Sequence, residues 1–580
     1  MRLHLTAFAA CALALGIGSC GTGGGSAPQQ SQPRASSTPT SNATPTAAPT
    51  PTATPIGPPT PAFNNWPTYG YDNARDGYNP NSGNITPASL SALHLAWEVE
   101  VPELRTQTQP ILATNLGGHA GILLVGGAEG LIYAFDALTG NAIWSRSLGS
   151  ATITCPGVAP AALGVGGTAV YDPSTGNVFI GSNSNTVSNG TSEVWVNEMN
   201  ALTGAMGGRA NIAPSPLPGE VNFTHTSLTL ANGLLYAGTG STCDLSSWRG
   251  RVAAVNEGSM TLANTFYPAW NQAQAPFPAP TPLSGGGVWG WGGVSIGPAG
   301  DVWTGVGNVD TQLGSTGPLP PFAQDDNNEF DGFGEHVLQL TPNLSTVLQN
   351  NYPGFMFNNQ QSHDLDISGT PVLGQPLGCH QMLGVQGKSG YLYLYDTTNI
   401  GQGPVNAFKF TSSSFNDPNL GNPAFSPLTG LFYASVSSAV AGGILPLPGM
   451  IAIKSCDSTS SIVWSAEFGP DSSIAGLPRS MPTVTAGGVV FVGTPCKGGA
   501  SGVCTTTGKY GGALWALDAT TGALLNGANP VITTPKEINM APAVDGDWVF
   551  LFDAYGHLYG LTVDPNYPTI PNRFARTRSL

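Results

Sequence analysis

Charged residues are scarce in this 580-residue chain, and basic residues are the scarcest. Only 9% of the residues are charged, and 18 Lys and Arg stand against 33 Asp and Glu, which gives a formal net charge of −15. Nucleic-acid binding depends on basic side chains that neutralise phosphates, so the composition argues against it. Helix signals are nearly absent as well. Neither a nucleophile elbow nor a dinucleotide fingerprint is predicted, because each needs a strand–turn–helix unit.

Long apolar runs are missing too, except for residues 5–17 at the N-terminus. That run follows Arg2 and is too short to span a bilayer, which is typical of a secretory signal peptide. It ends in Leu15-Gly-Ile-Gly-Ser-Cys20, which resembles the bacterial lipobox. We expect a signal peptide at 1–19 and a lipid on Cys20 that anchors the protein outside the cytoplasm, at the bacterial cell membrane. The alternative is an ordinary cleaved signal with a chance cysteine.

The next segment, residues 20–62, is dominated by Gly, Ser, Thr and Pro. Such a segment buries too little apolar surface to offset the entropy lost on ordering. Its Thr-Pro repeats favour an extended spacer. We therefore predict a disordered tether over 20–62 and a folded part over 63–580.

A repeated phrase, an alternating apolar strand that runs into Asp-x-x-Thr-Gly, recurs along the folded part. Clear copies contain Asp136 and Asp518, and decayed copies contain Asn200 and Asp396. The Asp or Asn side chain caps backbone N–H groups of a tight turn, and Gly supplies a positive φ. A recurrence of about 60 residues suits a propeller blade of four strands.

The predicted fold class is all-β: an eight-bladed β-propeller of four-stranded antiparallel blades, preceded by the signal peptide and the disordered linker. Turn signals divide the chain at roughly 105–150, 153–212, 222–268, 286–352, 363–411, 418–469, 478–530 and 537–563. The first strand, residues 93–101, has no blade partners before it, and the last unit lacks an outer strand. Pairing the two would close the ring and remove exposed edges.

The chain has eight cysteines. Cys11 lies in the signal and Cys20 at the anchor, which leaves an even number, as expected for disulfides in an exported protein. The first candidate pair, Cys496 with Cys504, flanks a Gly/Ser loop. Further candidate links between neighbouring blades are Cys155–Cys243 and Cys379–Cys456, although the sequence leaves the connectivity open. No Cys-x-x-Cys-His haem-attachment motif is present.

The segment Asn65–Pro80 (NWPTYGYDNARDGYNP) resembles the opening signature of dehydrogenases that depend on pyrroloquinoline quinone (PQQ). The resemblance covers the chain from about residue 64 to the end. It implies an eight-bladed propeller with the quinone near the central axis. The implied activity is oxidation of a small-molecule or polymeric alcohol or polyol with PQQ and Ca²⁺, with electrons passing to a separate acceptor. Some relatives share the fold without the quinone, so the alternative is a non-catalytic scaffold that binds an envelope protein or a glycan.

The resemblance also implies roles for particular residues. Trp291 would lie flat against the quinone with Trp289 nearby, and Asn308 would bind the metal ion. Asp366 would accept the substrate hydroxyl proton and also bind the metal ion, with Asp364 as the second choice. The simpler alternatives are packing between blades for the tryptophans and capping of a loop for the aspartate.

Lys388 and Glu193 complete the implied site. Lys388, in Gly387-Lys-Ser-Gly390, would contact the quinone oxygens, although it also suits a plain hairpin turn. Glu193 is a weak candidate for a metal ligand. The chain departs from the family in two further ways: Cys155 has no adjacent cysteine, and the stretch around Asp366 lacks one residue and the Trp of the usual His-Asp-x-Trp-Asp pattern.

Overall fold

The computed structural model describes residues 63–101, 108–153, 161–184, 193–214, 222–241, 248–269, 284–307, 309–310, 332–353, 366–388, 390–409, 421–436, 449–468, 480–497, 510–554 and 556–572. The predicted signal peptide, Cys20 and the tether lie outside these residues, so those expectations remain predictions. No helix in the described part is long and apolar enough to cross a bilayer.

The described strands form eight main sheets, each of which is a propeller blade. Blades 1 to 4 contain Ile111–Leu116, His119–Gly126, Leu131–Asp136 and Ala142–Ser147; Val170–Asp172, Asn177–Ser184, Glu193–Asn200 and Met206–Asn211; Thr229–Ala231, Leu234–Thr239, Arg251–Asn256 and Thr261–Phe266; and Ser295–Ile296, Val302–Gly305, Val337–Leu340 and Val347–Asn351. Neighbouring strands within each blade are antiparallel.

The second half of the ring is built in the same way. Blades 5 to 8 contain Val372–Gly374, Met382–Gln386, Tyr391–Asp396 and Asn406–Lys409; Ala424–Ser426, Leu431–Val436, Gly449–Cys456 and Thr459–Glu467; Thr483–Thr485, Val489–Lys497, Tyr510–Asp518 and Ile532–Thr534; and Ala543–Asp545, Trp548–Phe552, His557–Thr562 and His94–Glu100. The predicted fold class, an eight-bladed propeller of four-stranded antiparallel blades, is confirmed.

Smaller elements complete the described structure. They are the strand pairs Ala151–Ile153 with Ala161–Leu163 and Ser284–Gly285 with Val309–Asp310, the short strand Tyr78–Asn79, which runs parallel to Thr483–Thr485, and the 3-10 turns Ser89–Ala92 and Ile400–Gln402. The first strand of a blade is short and buried, as in Val170–Asp172, whereas the fourth is largely exposed, as in Ala142–Ser147. The ring therefore buries its first strands around the axis.

The N-terminal strand His94–Glu100 closes the ring. It pairs antiparallel with His557–Thr562 and becomes the fourth strand of blade 8, whose other three strands come from the C-terminal end of the chain. The predicted pairing between the two ends of the folded part is confirmed. Closure covers the outer edge of His557–Thr562, which would otherwise be unpaired.

Tryptophans on the fourth strands lock neighbouring blades together. Trp97 of blade 8 donates its indole N–H to the carbonyl of Ala137 in blade 1, at 3.0 Å. Trp144 makes the equivalent bond to Ala201 at 3.0 Å, and Trp464 to Ala519 at 3.1 Å. Each acceptor directly follows the Asp or Asn of the repeated turn.

Two physical constraints therefore require glycine in the repeated turn. Gly140 has φ +70°, a conformation that other residues rarely adopt. A Cβ on Gly140 would also lie 2.6 Å from the Trp97 ring, and the same conflict would arise at Gly204 with Trp144. The expected Asp cap is present, because Asp136 Oδ1 accepts the N–H groups of Leu138 and Thr139.

Residues 66–81, which we call the strap, run across the inner edges of the blades. Strap carbonyls accept backbone N–H groups from Leu112 in blade 1, Tyr171 in blade 2, Ile296 in blade 4, Leu373 in blade 5, Phe425 in blade 6, Val484 in blade 7 and Gly546 in blade 8, at 2.7–3.1 Å. In blade 3, Leu230 accepts a bond from the side-chain amide of Asn73. One continuous segment thus bonds to all eight blades.

A buried arginine holds the strap in shape. The Arg75 guanidinium donates to Thr68 Oγ1 at 2.6 Å, to Tyr69 O at 2.7 Å and to Leu228 O at 3.0 Å, and its side chain is fully buried. Burial lowers the pKa of Arg75 to about 10. The strap contains most of the opening segment that resembles the dehydrogenases. In the structure this segment holds the blades together and does not form the site.

The two ends of the ring differ because the strands alternate in direction. A cavity lined by the strap is also lined by Asp172 and Pro173, at the turn after the first strand of blade 2. The strap therefore lies at the end that holds the turns after the first and third strands. The turns after second strands, and the segments that enter first strands, lie at the opposite end.

Removing the Trp97 side chain should weaken ring closure. We expect Trp97→Ala to destabilise the protein by about 3–5 kcal/mol, the usual cost of deleting a large buried aromatic side chain. Trp195→Ala is the control, because Trp195 is only half-buried and stacks with Arg209 on the blade surface. Thermal unfolding measures both variants. An equal loss of stability in the two variants would contradict the closure role.

Candidate functional site

The end of the ring away from the strap holds a buried ion pair. Asp366 lies in the segment that enters blade 5, and Lys388 lies in the turn between the second and third strands of that blade. Lys388 Nζ is 2.7 Å from Asp366 Oδ2, and the two side chains are 12% and 0% exposed. The Lys388 backbone N–H also donates to the Asp366 carbonyl at 2.9 Å. Two predicted site residues are therefore in direct contact.

Aromatic rings lie beside this pair. The Trp289 ring centroid is 5.9 Å from Lys388 Nζ. Trp289 also meets Trp248 and His225 edge-on, with ring centroids 5.7 Å and 5.3 Å away. Three rings from blades 3 and 4 thus surround the same region as the ammonium group from blade 5, within cation–π range for Trp289.

Because Gly307 has no side chain, Trp289 and Asp366 can both lie close to it. A Cβ on Gly307 would lie 2.5 Å from Trp289 Nε1 and 2.6 Å from Asp366 Oδ1. Any larger residue would push the indole and the carboxylate apart. The Gly-x-Gly phrase that precedes Asn308 in the sequence is therefore needed for the geometry of the site.

Burial and charge set the state of His225. Burial lowers the pKa of His225 to about 4, and the nearby positive charge of Lys388 adds to this effect. His225 is therefore neutral near pH 7. Its Nε2 atom and Trp289 Nε1 are buried and have no hydrogen-bond partner among the described residues. Buried polar atoms are normally satisfied, so these two nitrogen atoms favour a polar ligand or water at this place.

Trp291 occupies a different place from Trp289. It is 5% exposed and belongs to the apolar cluster that contains Tyr69 of the strap and Phe425 and Met481 of blades 6 and 7. Its carbonyl accepts the backbone N–H of Ser227 at 2.8 Å. The tryptophan that faces Lys388 is Trp289, and the predicted role of Trp291 as the flat surface under a quinone stays a prediction.

The other predicted site residues stand apart from this geometry or outside the described residues. Glu193 begins the third strand of blade 2, and its Oε2 accepts the indole N–H of Trp195 at 3.2 Å within that blade. The predictions that lie outside the described residues concern Asn308, Asp364, Cys155, Cys243 and Cys504, and the side chain of Cys496 is not described. Cys379 and Cys456 form the predicted disulfide between blades 5 and 6.

The described residues fit a quinone better than they fit Ca²⁺. The ammonium group, the indole surface and the unpartnered nitrogen atoms suit a planar ligand that carries several oxygens. Ca²⁺ needs six to eight oxygen ligands, but Asp366 is already paired with Lys388. The one described cluster of three His or carboxylate ligands, His380 with Asp396 and Asp457, lies at the strap end. The described residues at the Lys388 end therefore do not form a calcium site.

Sequence reasoning left His225 unassigned and did not identify Trp248 or Glu335. Glu335 is 1% exposed, and its backbone N–H donates to Gly307 O at 3.1 Å. A second buried acidic residue therefore lies next to the site. The position of His225 in the sequence could have identified it. His225 lies four residues before the first strand of a blade, and Trp289 and Asp366 each lie six residues before one. Trp248 has no such signal.

Three solved structures of similar fold are dehydrogenases. Quinohemoprotein alcohol dehydrogenase from Comamonas testosteroni matches with TM-score 0.59 and 16% identity over 86% of this chain and 80% of that one. A europium-containing methanol dehydrogenase gives TM-score 0.58 and 16% identity over 86% and 98%. Quinohemoprotein alcohol dehydrogenase ADHIIG from Pseudomonas putida HK5 gives 0.57 and 15% over 86% and 80%. The expected likeness in fold is confirmed.

Comparisons by sequence give no match. No family model matches the chain, and no curated protein is significantly similar. The likeness to the dehydrogenases therefore shows the propeller fold, and the activity has to be argued from the site itself.

The neutral state of His225 predicts a pH dependence of stability. Below pH 6.5 the unfolded chain takes up a proton that the folded site rejects down to about pH 4, so stability is lost across that window. The loss should reach at most about 3 kcal/mol. Denaturant unfolding from pH 7 to 4 should therefore show a shallower decline for His225→Gln than for the wild type. Parallel declines would show that His225 takes up its proton equally in both states.

Proposed function

We propose that this chain is a quinoprotein dehydrogenase that binds PQQ at the end of the ring away from the strap and oxidises an alcohol or polyol. The observation that carries the proposal is the buried Lys388–Asp366 pair beside Trp289, at 2.7 Å. The fold likeness to alcohol dehydrogenases and the unpartnered Trp289 and His225 nitrogen atoms support it.

Each residue has a chemical task in this proposal. Lys388 binds quinone oxygens and favours negative charge on them. Trp289 offers an indole surface for stacking, and Trp291 is the second candidate for that contact. PQQ, when bound, would supply a two-electron acceptor for the hydride of the alcohol carbon. Asp366 would accept the proton of the substrate hydroxyl as that hydride leaves, in a setting from which water is largely excluded.

Electrons would leave through a separate acceptor, because the sequence has no haem-attachment motif. The proposed setting is extracytoplasmic, with the protein anchored to the membrane through Cys20. Binding of Ca²⁺ is expected only from the resemblance to the PQQ-dependent dehydrogenases. In this chain it would need Asn308 and further oxygen ligands besides Asp366.

The second candidate function is a non-catalytic propeller that binds an envelope protein or a glycan. One observation favours it: the Asp366 carboxylate is already compensated by Lys388, so the pair is also a satisfactory structural ion pair without a ligand. The two candidates differ in whether a quinone binds at Lys388.

Quinone binding by the full-length mature protein tests the proposal. Equilibrium dialysis with PQQ should show one bound molecule per chain. Lys388→Met combined with Asp366→Asn keeps the site neutral and should weaken binding by about ten- to a hundredfold, since one charge-assisted contact is lost. Asp366→Asn alone keeps the cation and should still bind.

Lys409→Met is the matched control, because Lys409 also lies over an aromatic ring, that of Tyr391 at 6.0 Å, but on the outer strand of blade 5. It should bind PQQ like the wild type. A well-folded wild type that retains no PQQ would overturn the dehydrogenase proposal and favour the scaffold.

A further inference from the structure

The strap-lined cavity, which we call the strap pocket, lies at the strap end of the ring. Its volume is about 500 Å³, within the range of small-molecule sites. The strap contributes Tyr71, Asp72, Asn73 and Asn81 to its lining, and blade 2 contributes Tyr171. The pocket therefore lies at the opposite end of the ring from Lys388.

The rim of the strap pocket carries hydrogen-bonding groups that the fold uses only in part. Asn73 donates its amide N–H to Leu230 O at 2.9 Å, which leaves Asn73 Oδ1 as an acceptor. Asn81 likewise donates to Tyr71 Oη at 3.3 Å. Asn65, also in the lining, accepts two bonds from Thr114 through Oδ1, and among the described residues its amide nitrogen has no acceptor. The lining thus offers both hydrogen-bond donors and acceptors to a ligand.

Aromatic and aliphatic surface lies between these polar groups. The Tyr71 ring is held edge-on against Trp66, with centroids 5.2 Å apart, so its position is fixed before any ligand arrives. Val170, Leu230 and the buried Tyr171 complete the apolar part of the lining. A fixed lining reduces the entropy lost on binding.

The charge of the lining limits the class of ligand. It contains Asp72 and Asp172 but no Lys or Arg, so an anion would be repelled. A purely apolar ligand would strip water from the amides without replacing their hydrogen bonds. A neutral ring with hydroxyl groups on its edge and C–H groups on its face satisfies both the amides and the tyrosine.

We propose that the strap pocket binds a neutral saccharide. The inference does not depend on the proposed dehydrogenase activity, because it concerns different residues at the other end of the ring. The strap holds the pocket in shape through its bonds to every blade. Asn64, which also lines the pocket, lies two residues after the predicted tether, so on a membrane-anchored chain the sugar would bind where the tether meets the propeller.

Calorimetric titration of the full-length mature protein with chitotriose, maltotriose and mannotriose tests this proposal. At least one of these sugars should bind with a millimolar or lower dissociation constant. Tyr71→Ala should weaken binding by about tenfold or more through the lost ring contact. Asn81→Ala changes an exposed side chain and tests the same site if Tyr71→Ala does not fold.

Thr520→Ala is the matched control, since Thr520 lines another cavity at the strap end, of about 580 Å³, that contains no aromatic residue. It should leave binding unchanged, as should Lys388→Met with Asp366→Asn. Absence of heat with all three sugars would overturn the proposal, and so would binding that Asn81→Ala and Tyr71→Ala leave unaltered. Failure of PQQ binding would not affect this result.

Discussion

The structure depends on one constraint, that eight separate blades must be held in a closed ring. The strap meets this constraint by bonding to all eight blades, and His94–Glu100 meets it by completing blade 8. Trp97 then joins blade 8 to blade 1. The N-terminal segment thus holds the blades together at one end of the ring. The other end is formed by the segments that enter the first strands, and these segments contain Asp366, Trp289 and His225.

The two ends of the ring use their buried basic residues differently. The buried Arg75 side chain donates to oxygens of Thr68 and Tyr69 in the strap and of Leu228 next to blade 3, which holds the backbone in place. Lys388 is buried against a carboxylate, which is a group that can take up a proton. A buried cation therefore holds the backbone in place at one end and pairs with a carboxylate at the other. Few other basic side chains compete for anions.

The sequence predicted the blades well because the turn chemistry of Asp136 and Asp518 is local. The close approach of the Trp97 ring to Gly140 could not be predicted, since Trp97 lies on another blade. At the site, resemblance identified Asp366 and Lys388 separately, whereas their direct pairing depends on how blade 5 folds. The ring contact of Trp289 with Trp248 depends on the packing of two blades and leaves no pattern in either segment.

The dehydrogenase proposal depends on one step, in which Asp366 would take the proton of an alcohol whose hydride would go to a quinone held by Lys388. The most direct test is anaerobic mixing of PQQ-loaded protein with ethanol, glycerol or poly(vinyl alcohol), followed by the absorbance of the quinone. The account predicts that at least one of these alcohols reduces the quinone in the wild type, and that Asp366→Asn, although loaded, stays oxidised. A loaded wild type that none of the alcohols reduces, or an Asp366→Asn variant reduced at the wild-type rate, would contradict the account.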